Sequence, residues 1–167
     1  MNLIVAVDEN LGIGFQGDLL VKISEDLKYF KQKTINNVVV MGRITFESLP
    51  NKKPLPKRVN VILTRDQNFT VPHDESVIVC HTIEEVINIA KQSDKETFII
   101  GGEQIYQAFL PYCHKAYITK IYDKFKADKH IANFMDTKEW RKTSESEIYH
   151  TDEGVKFQFI VYEAVDR

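Results

Sequence analysis

The chain is 167 residues long, 43% hydrophobic and 28% charged, and 22 lysines and arginines against 24 acids leave a formal net charge of −2. That length suits a single domain with one buried core, here residues 1–167. The near-neutral balance supplies no broad basic field, so nucleic acid and anionic membrane are excluded as partners.

Met1 leads straight into a strand over Asn2–Val7, a stretch far too short to span a bilayer and preceded by no basic leader. Cys80 and Cys113 have neither metal-ligand spacing nor a disulfide pattern, so no metal is required and a reducing compartment is expected. The expectation is a soluble, unprocessed, cytoplasmic protein.

Ser24 is placed to cap a helix over Glu25–Thr34, with Glu25 and Asp26 in the first turn, where acids favour the helix dipole. At about 100° per residue, Ile23, Leu27, Phe30 and Thr34 fall on one apolar stripe. Glu25, Lys28 and Gln32 point away, and Lys28, Lys31 and Lys33 are spaced like a solvated face. Asp26 lies on the flank of the stripe, one turn before Phe30. A carboxylate there is either a half-exposed partner of the dipole or an acid facing a lined pocket.

A buried strand over Val38–Met41 ends at Gly42-Arg43 and opens a short helix over Thr45–Ser48. Pro50–Lys57 holds three prolines and three lysines and reads as a rigid exposed loop. Strands follow over Val59–Thr64 and Val77–His81, then a helix over Ile83–Lys91 and a strand over Thr97–Ile100. Paired glycines, Gly101-Gly102, lead into a helix over Glu103–Leu110, and a strand covers Ala116–Tyr122. Beyond it the helix signals stop, and Ser144–His150 and Val155–Val161 read as strands around a turn at Asp152-Glu153-Gly154. This alternation predicts an α/β fold with a central, mostly parallel β-sheet, an antiparallel C-terminal hairpin, and helices on both faces.

Chemistry in such a sheet is expected at the carboxyl ends of the strands. Three junctions stand out: Met41-Gly42-Arg43-Ile44-Thr45, Leu63-Thr64-Arg65, and Ile100-Gly101-Gly102-Glu103. Each alone is compatible with an ordinary tight turn. Together they place two arginines and two glycine turns at strand ends, as a phosphorylated dinucleotide would need.

The order of motifs carries more. Asp8-Glu9-Asn10-Leu11-Gly12-Ile13-Gly14, Gly17-Asp18-Leu19, Glu25-Asp26-Leu27-Lys28-Tyr29-Phe30-Lys31 and Val40-Met41-Gly42-Arg43-Ile44-Thr45-Phe46-Glu47-Ser48-Leu49 come first. Pro54-Leu55-Pro56-Lys57-Arg58, Leu63-Thr64-Arg65, Ile100-Gly101-Gly102-Glu103-Gln104-Ile105-Tyr106 and Tyr117-Ile118-Thr119 follow. This set, spread over nearly the whole chain, resembles bacterial dihydrofolate reductase. It favours the pocket reading of Asp26 and the ligand reading of both glycine turns.

The resemblance implies NADPH-dependent reduction of 7,8-dihydrofolate to tetrahydrofolate, by hydride transfer to pterin C6 and protonation at N5. It implies a monomer, open to antifolate inhibitors. By the same resemblance, Asp26 binds the pterin 2-amino group and N3, and Thr119 supports that acid. Ile4, Ala6, Leu27, Phe30, Leu49 and Ile100 form the apolar walls. Arg58 forks onto the α-carboxylate of the glutamate tail. Arg43, Thr45, Thr64 and Arg65 surround the cofactor phosphates, with Gly42, Ile44 and Leu63 beside them. Gly101, Gly102, Glu103, Gln104, Ile105 and Tyr106 form the turn and helix start near the nicotinamide and diphosphate. Ala6, Ile13, Gly14 and Leu19 meet the nicotinamide, the last three from a mobile loop.

The sequence departs from the family at Leu20-Val21, where Pro-Trp is usual, at Ile23-Ser24 for Leu-Pro, and at Ala127–Ala132 for Gly-Asp-Thr-x-Phe-Pro. Leu20 and Val21 offer apolar cover without a hydrogen-bond donor, which predicts a more mobile loop. Asp128 remains in place to hold that loop closed. Two other readings stand beside this one. A related reductase of a ribitylamino-pyrimidine would keep the cofactor turns but need neither Asp26 nor Arg58. A folate or nucleotide binder would have lost turnover. Asp26, Phe30, Arg58 and Thr119 occurring together argue against both.

Overall fold

The computed structural model describes all residues, Met1–Arg167. Eleven strands form: β1 (Asn2–Val7), β2 (Gly12–Gly14), β3 (Val38–Gly42), β4 (Val59–Leu63), β5 (Val77–Cys80), β6 (Thr97–Gly101), β7 (Lys115–Tyr122), β8 (Lys129–His130), β9 (Trp140–Glu145), β10 (Tyr149–His150) and β11 (Lys156–Ala164). The α-helices are α1 (Ser24–Thr34), α2 (Arg43–Glu47), α3 (Ile83–Gln92) and α4 (Glu103–Phe109).

The main sheet runs β10-β11-β7-β1-β6-β3-β4-β5, with β9 on the other side of β11 from β7. Pairs from β7 through β5 are parallel, whereas β11 runs antiparallel to β7, β9 and β10. Alternation along β1 divides the core. Leu3, Val5 and Val7 join Val86 of α3 and Tyr106 and Phe109 of α4 on one face. Ile4 joins Phe46 of α2 on the other, where Tyr29 and Phe30 of α1 also pack. Helices therefore cover both faces, and the carboxyl ends of β3, β4 and β6 open onto one edge.

Four local expectations are corrected. Ser24 is the first helical residue, not the cap; Ile23 takes that place in extended conformation, with no side-chain cap bond, because it is buried against Ile121 and Phe157. The apolar stripe of α1 is rotated. Leu27 is 47% exposed, while Tyr29 stacks on Phe159 with ring centroids 4.1 Å apart. Lys33 is not on a solvated face, since its ammonium lies 5.1 Å from the Tyr117 ring and 5.4 Å from that of Tyr29.

The predicted strand Ser144–His150 is instead two strands, β9 and β10. Ser146 interrupts it, its hydroxyl accepting from the Phe159 N–H at 2.9 Å and so taking a place in the ladder. The small β2–β8 sheet was not anticipated, because neither segment has an apolar pattern.

Candidate active site

The first turn of α1 and the middle of β7 meet across one end of the sheet. Parallel pairing sets Ala6 of β1 opposite Thr119 of β7. Thr119 is buried, and its hydroxyl donates to Asp26 Oδ1 at 2.5 Å. Burial raises the Asp26 pKa above the ordinary aspartate value, and the Thr119 hydrogen bond lowers it in part. A small pocket contains Asp26 as its one polar residue, with Ala6, Ile13, Leu19, Leu20, Val21 and Ile121 around it. An acid held this way resists ionisation and keeps its second oxygen for a ligand.

The expected apolar walls are partly gathered. Ile4, Phe30, Leu49 and Ile100 pack in one cluster, whereas Ala6 belongs to the neighbouring group around Ile23 and Ile121. Leu27, 47% exposed, joins neither group. Arg58 is 7% exposed and has no carboxylate within ion-pair distance. Its Nε donates to the Pro56 carbonyl at 3.0 Å and its Nη1 to the Thr34 hydroxyl at 3.0 Å. Burial lowers its pKa from the ordinary arginine value. A guanidinium has five N–H donors, so Arg58 holds several unspent ones.

At the carboxyl edge, Gly42 pairs in register with Leu63, so Arg43 and Thr64 emerge side by side. Arg43 is engaged already: Nε binds Glu47 at 2.9 Å, Nη1 binds Asp66 at 2.9 Å, and the guanidinium lies 4.8 Å from the Phe69 ring centre. The Thr64 hydroxyl accepts from the Asp66 N–H at 3.2 Å. Arg65 is exposed and forms no ion pair.

The glycine turns also approach one another. A Cβ on Gly102 would come within 3.6 Å of Thr45 Oγ1, and one on Gly42 within 3.1 Å of Ile105 Cγ1. Gly101 has φ +119°, with the Tyr106 ring packed where its Cβ would project. Tyr106 itself is core, donating its hydroxyl to the Ile4 carbonyl at 2.8 Å. Ile44 and Gln104 are exposed, and Glu103 is partly buried in the first turn of α4.

Ile13 and Gly14 lie on β2, clasped by β8. The Asp128 N–H donates to the Gly14 carbonyl at 3.0 Å, and Asp128 Oδ2 accepts from the Gln16 N–H at 3.0 Å. Leu19 stands 49% exposed at the pocket. Sequence reasoning missed Ile121 as a wall, and missed Glu47 and Asp66 as partners of Arg43. The i, i+4 spacing of Arg43 and Glu47 was the available signal for one of these.

Comparison with known proteins bears on this arrangement. The family model described as dihydrofolate reductase matches residues 1–164. The dihydrofolate reductase of Staphylococcus haemolyticus is 37% identical over 168 residues, covering 99% of this chain and 96% of its own. That of Drosophila melanogaster is 37% identical, covering 97% and 96%. That of Bacillus subtilis is 33% identical, covering 98% and 94%. A solved dihydrofolate reductase from Enterococcus faecalis, complexed with NADP(H) and RAB-propyl, superposes with a TM-score of 0.89 at 32% identity, over 99% of this chain and 96% of that one. The chain belongs to the dihydrofolate reductase family.

Proposed function

We propose that Asp26, held by Thr119, is the group around which this chain reduces 7,8-dihydrofolate with NADPH. The activity is that of the family; the assignment of roles to residues is the proposal. Its single strongest support is the Asp26–Thr119 pair, one acid set in an otherwise apolar pocket.

The carboxyl edge fits the cofactor by its donor chemistry. Thr64 and Arg65 supply a hydroxyl and an unpaired cation suited to a 2′-phosphate, with Arg43 beside them. At Gly42 a side chain would crowd Ile105, with Cβ 3.1 Å from Cγ1, and the bare backbone there and at Gly102, beside the Thr45 hydroxyl, suits a diphosphate. When bound, NADPH supplies the hydride that passes from its dihydronicotinamide to pterin C6. Everything else falls to the chain. Ile13, Leu19 and Ala6 exclude water from one side of the reacting rings. Ile4, Phe30, Leu49 and Ile100 hold the pterin and benzoyl faces, which reduces the entropic part of the barrier. Asp26 accepts from the pterin 2-amino group and N3, and its field favours the protonated ring. The proton that reaches N5 comes through solvent, because Asp26 is spent on the opposite edge of the ring.

Arg58, buried, unpaired and with donors to spare, suits the glutamate carboxylate of a folate and has no evident use toward a ribitylamino-pyrimidine. One continuous sheet carries strands from residue 2 to residue 164, which supports residues 1–167 acting as one domain. No helix is long and apolar enough to cross a membrane. Both cysteines are free and buried, which supports a cytoplasmic setting. Exposed Leu19 lines the Asp26 pocket, where a ligand rather than a second chain would cover it, in keeping with the monomer we propose. The test is oxidation of NADPH with and without dihydrofolate, in wild type and in Asp26→Asn.

A further inference from the structure

Asp8, at the end of β1, is an acid that the mechanism does not use. Asp8 is 1% exposed, and its carboxylate forms no ion pair. Three backbone N–H groups donate to it instead. Those of Asn10 and Gly12 reach Oδ1 at 2.9 and 2.8 Å, and that of Phe125 reaches Oδ2 at 3.0 Å. The first two belong to the turn that enters β2, and the third to the segment between β7 and β8. One side chain thus joins pieces of chain 117 residues apart.

Backbone bonds extend the seam on either side: Glu9 N–H to the Asp123 carbonyl, Ile131 N–H to that of Leu11, and Asp128 N–H to that of Gly14, each 3.0 Å. The packing leaves no slack. A Cβ on Gly12 would lie 2.8 Å from Ala127 Cβ, 3.1 Å from Asp8 Oδ1 and 3.2 Å from Leu20 Cδ1. Gly12 therefore sits between Asp8 and a loop residue that lines the Asp26 pocket.

We infer that Asp8 is a positioning residue for the loop over the nicotinamide. By collecting the three N–H groups it fixes where β2 begins, and so where Ile13, Leu19 and Leu20 stand above Asp26. This rests on the reading of residues 12–21 as the segment that covers the nicotinamide. A carboxylate is required because both of its oxygens accept. Asparagine has nearly the same shape but only one acceptor. If its oxygen stays with Asn10 and Gly12, its NH₂ meets the Phe125 N–H donor against donor. If it flips, the two turn bonds are lost instead. The first arrangement keeps the local turn and the backbone bonds of the seam and cuts only the Phe125 tie, which makes Asp8→Asn a selective probe.

The experiment compares wild type, Asp8→Asn and Asp128→Asn in two assays: the dissociation rate of NADPH, and the affinity for 2′,5′-ADP, which has the phosphorylated adenosine half and no nicotinamide. Loss of about one hydrogen bond predicts NADPH release roughly three- to ten-fold faster in Asp8→Asn, with 2′,5′-ADP affinity unchanged. Equal weakening of both ligands would mean general loosening and would overturn the inference. Unchanged NADPH release in Asp8→Asn, with faster release in Asp128→Asn, overturns it while leaving the loop reading intact. Unchanged release in both variants overturns the loop reading as well. A measurement on the wild type needs no variant. Amide hydrogen exchange at Gly12 and Phe125 is expected to slow together when NADPH binds, and exchange at Phe125 indifferent to NADPH would contradict the role.

Discussion

The Thr119 hydroxyl and the Asp26 carboxylate, 93 residues apart in sequence, lie 2.5 Å apart across the junction of β7 and α1. A hydroxyl has one hydrogen to donate, and Thr119 directs it at this acid. The bond favours the ionised carboxylate and works against the burial that favours the neutral one. Thr119→Val removes the lowering influence and keeps the burial, so the Asp26 pKa rises further. The kcat/KM profile against pH is expected to shift its Asp26-dependent limb upward; a downward shift would show that the bond favours the neutral acid.

The raised pKa of Asp26 also links stability to pH. Its folded value lies above the ordinary 3.8 of the unfolded chain, so between the two values the folded state holds more protons. Stability from this group is therefore fullest below pH about 3.8 and declines as pH rises through the folded value. Asp26→Asn cannot ionise and escapes the decline. Thermal melts across acid to neutral pH are expected to show the variant gaining on wild type as pH rises, then levelling; a lead for the variant that shrinks with rising pH would reverse the sign of the argument.

Arg58 is expected to act on the substrate tail and little on the fold. Its removal leaves Thr34 satisfied, because that hydroxyl also donates to the Phe30 carbonyl at 2.8 Å. Arg58→Gln is predicted to weaken dihydrofolate binding by about 2 kcal/mol, roughly thirty-fold, from the loss of a charged hydrogen-bonded contact. A dihydropterin lacking the glutamate tail should lose nothing. Equal losses for both substrates would place Arg58 elsewhere in the mechanism.

The two arginines at the carboxyl edge of the sheet, proposed to meet the cofactor, are not equivalent. Arg43 is already held by Glu47 and Asp66, both at 2.9 Å, and must exchange carboxylates for a phosphate, whereas Arg65 forms no ion pair. Arg65→Gln is therefore predicted to reduce the preference for NADPH over NADH more than Arg43→Gln does. Affinities of both cofactors for both variants give the answer, and a larger effect at Arg43 would show that its carboxylate partners are readily displaced.

The parts legible in the sequence were those whose physics is local. Val38–Met41 is apolar throughout, and Val59–Leu63 is apolar except at Asn60, because strands covered on both faces need no alternation. The glycine turns and their arginines could be placed at strand ends for the same reason. What depended on distant partners could not be read. The face of α1 differs from the expected stripe because Tyr29 packs on Phe159 from the far end of the chain, while Leu27 is left 47% exposed. Strands β2 and β8 pair through backbone bonds, with Asp128 also accepting from the Gln16 N–H beside them, and not through apolar periodicity. Asp26 alone left two readings open, and its partner Thr119 was named only through the family resemblance.

The most direct measurement is turnover of Asp26→Asn at neutral pH, beside its affinity for NADPH. Asparagine preserves the shape and can still accept from Thr119, so the fold and cofactor binding are expected to persist. Loss of the carboxylate's field at the pterin should cut turnover roughly a hundred-fold or more, with partial recovery at low pH, where solvent can protonate the substrate. Turnover at the wild-type rate at neutral pH, in a variant that binds NADPH normally, would contradict the role given to Asp26.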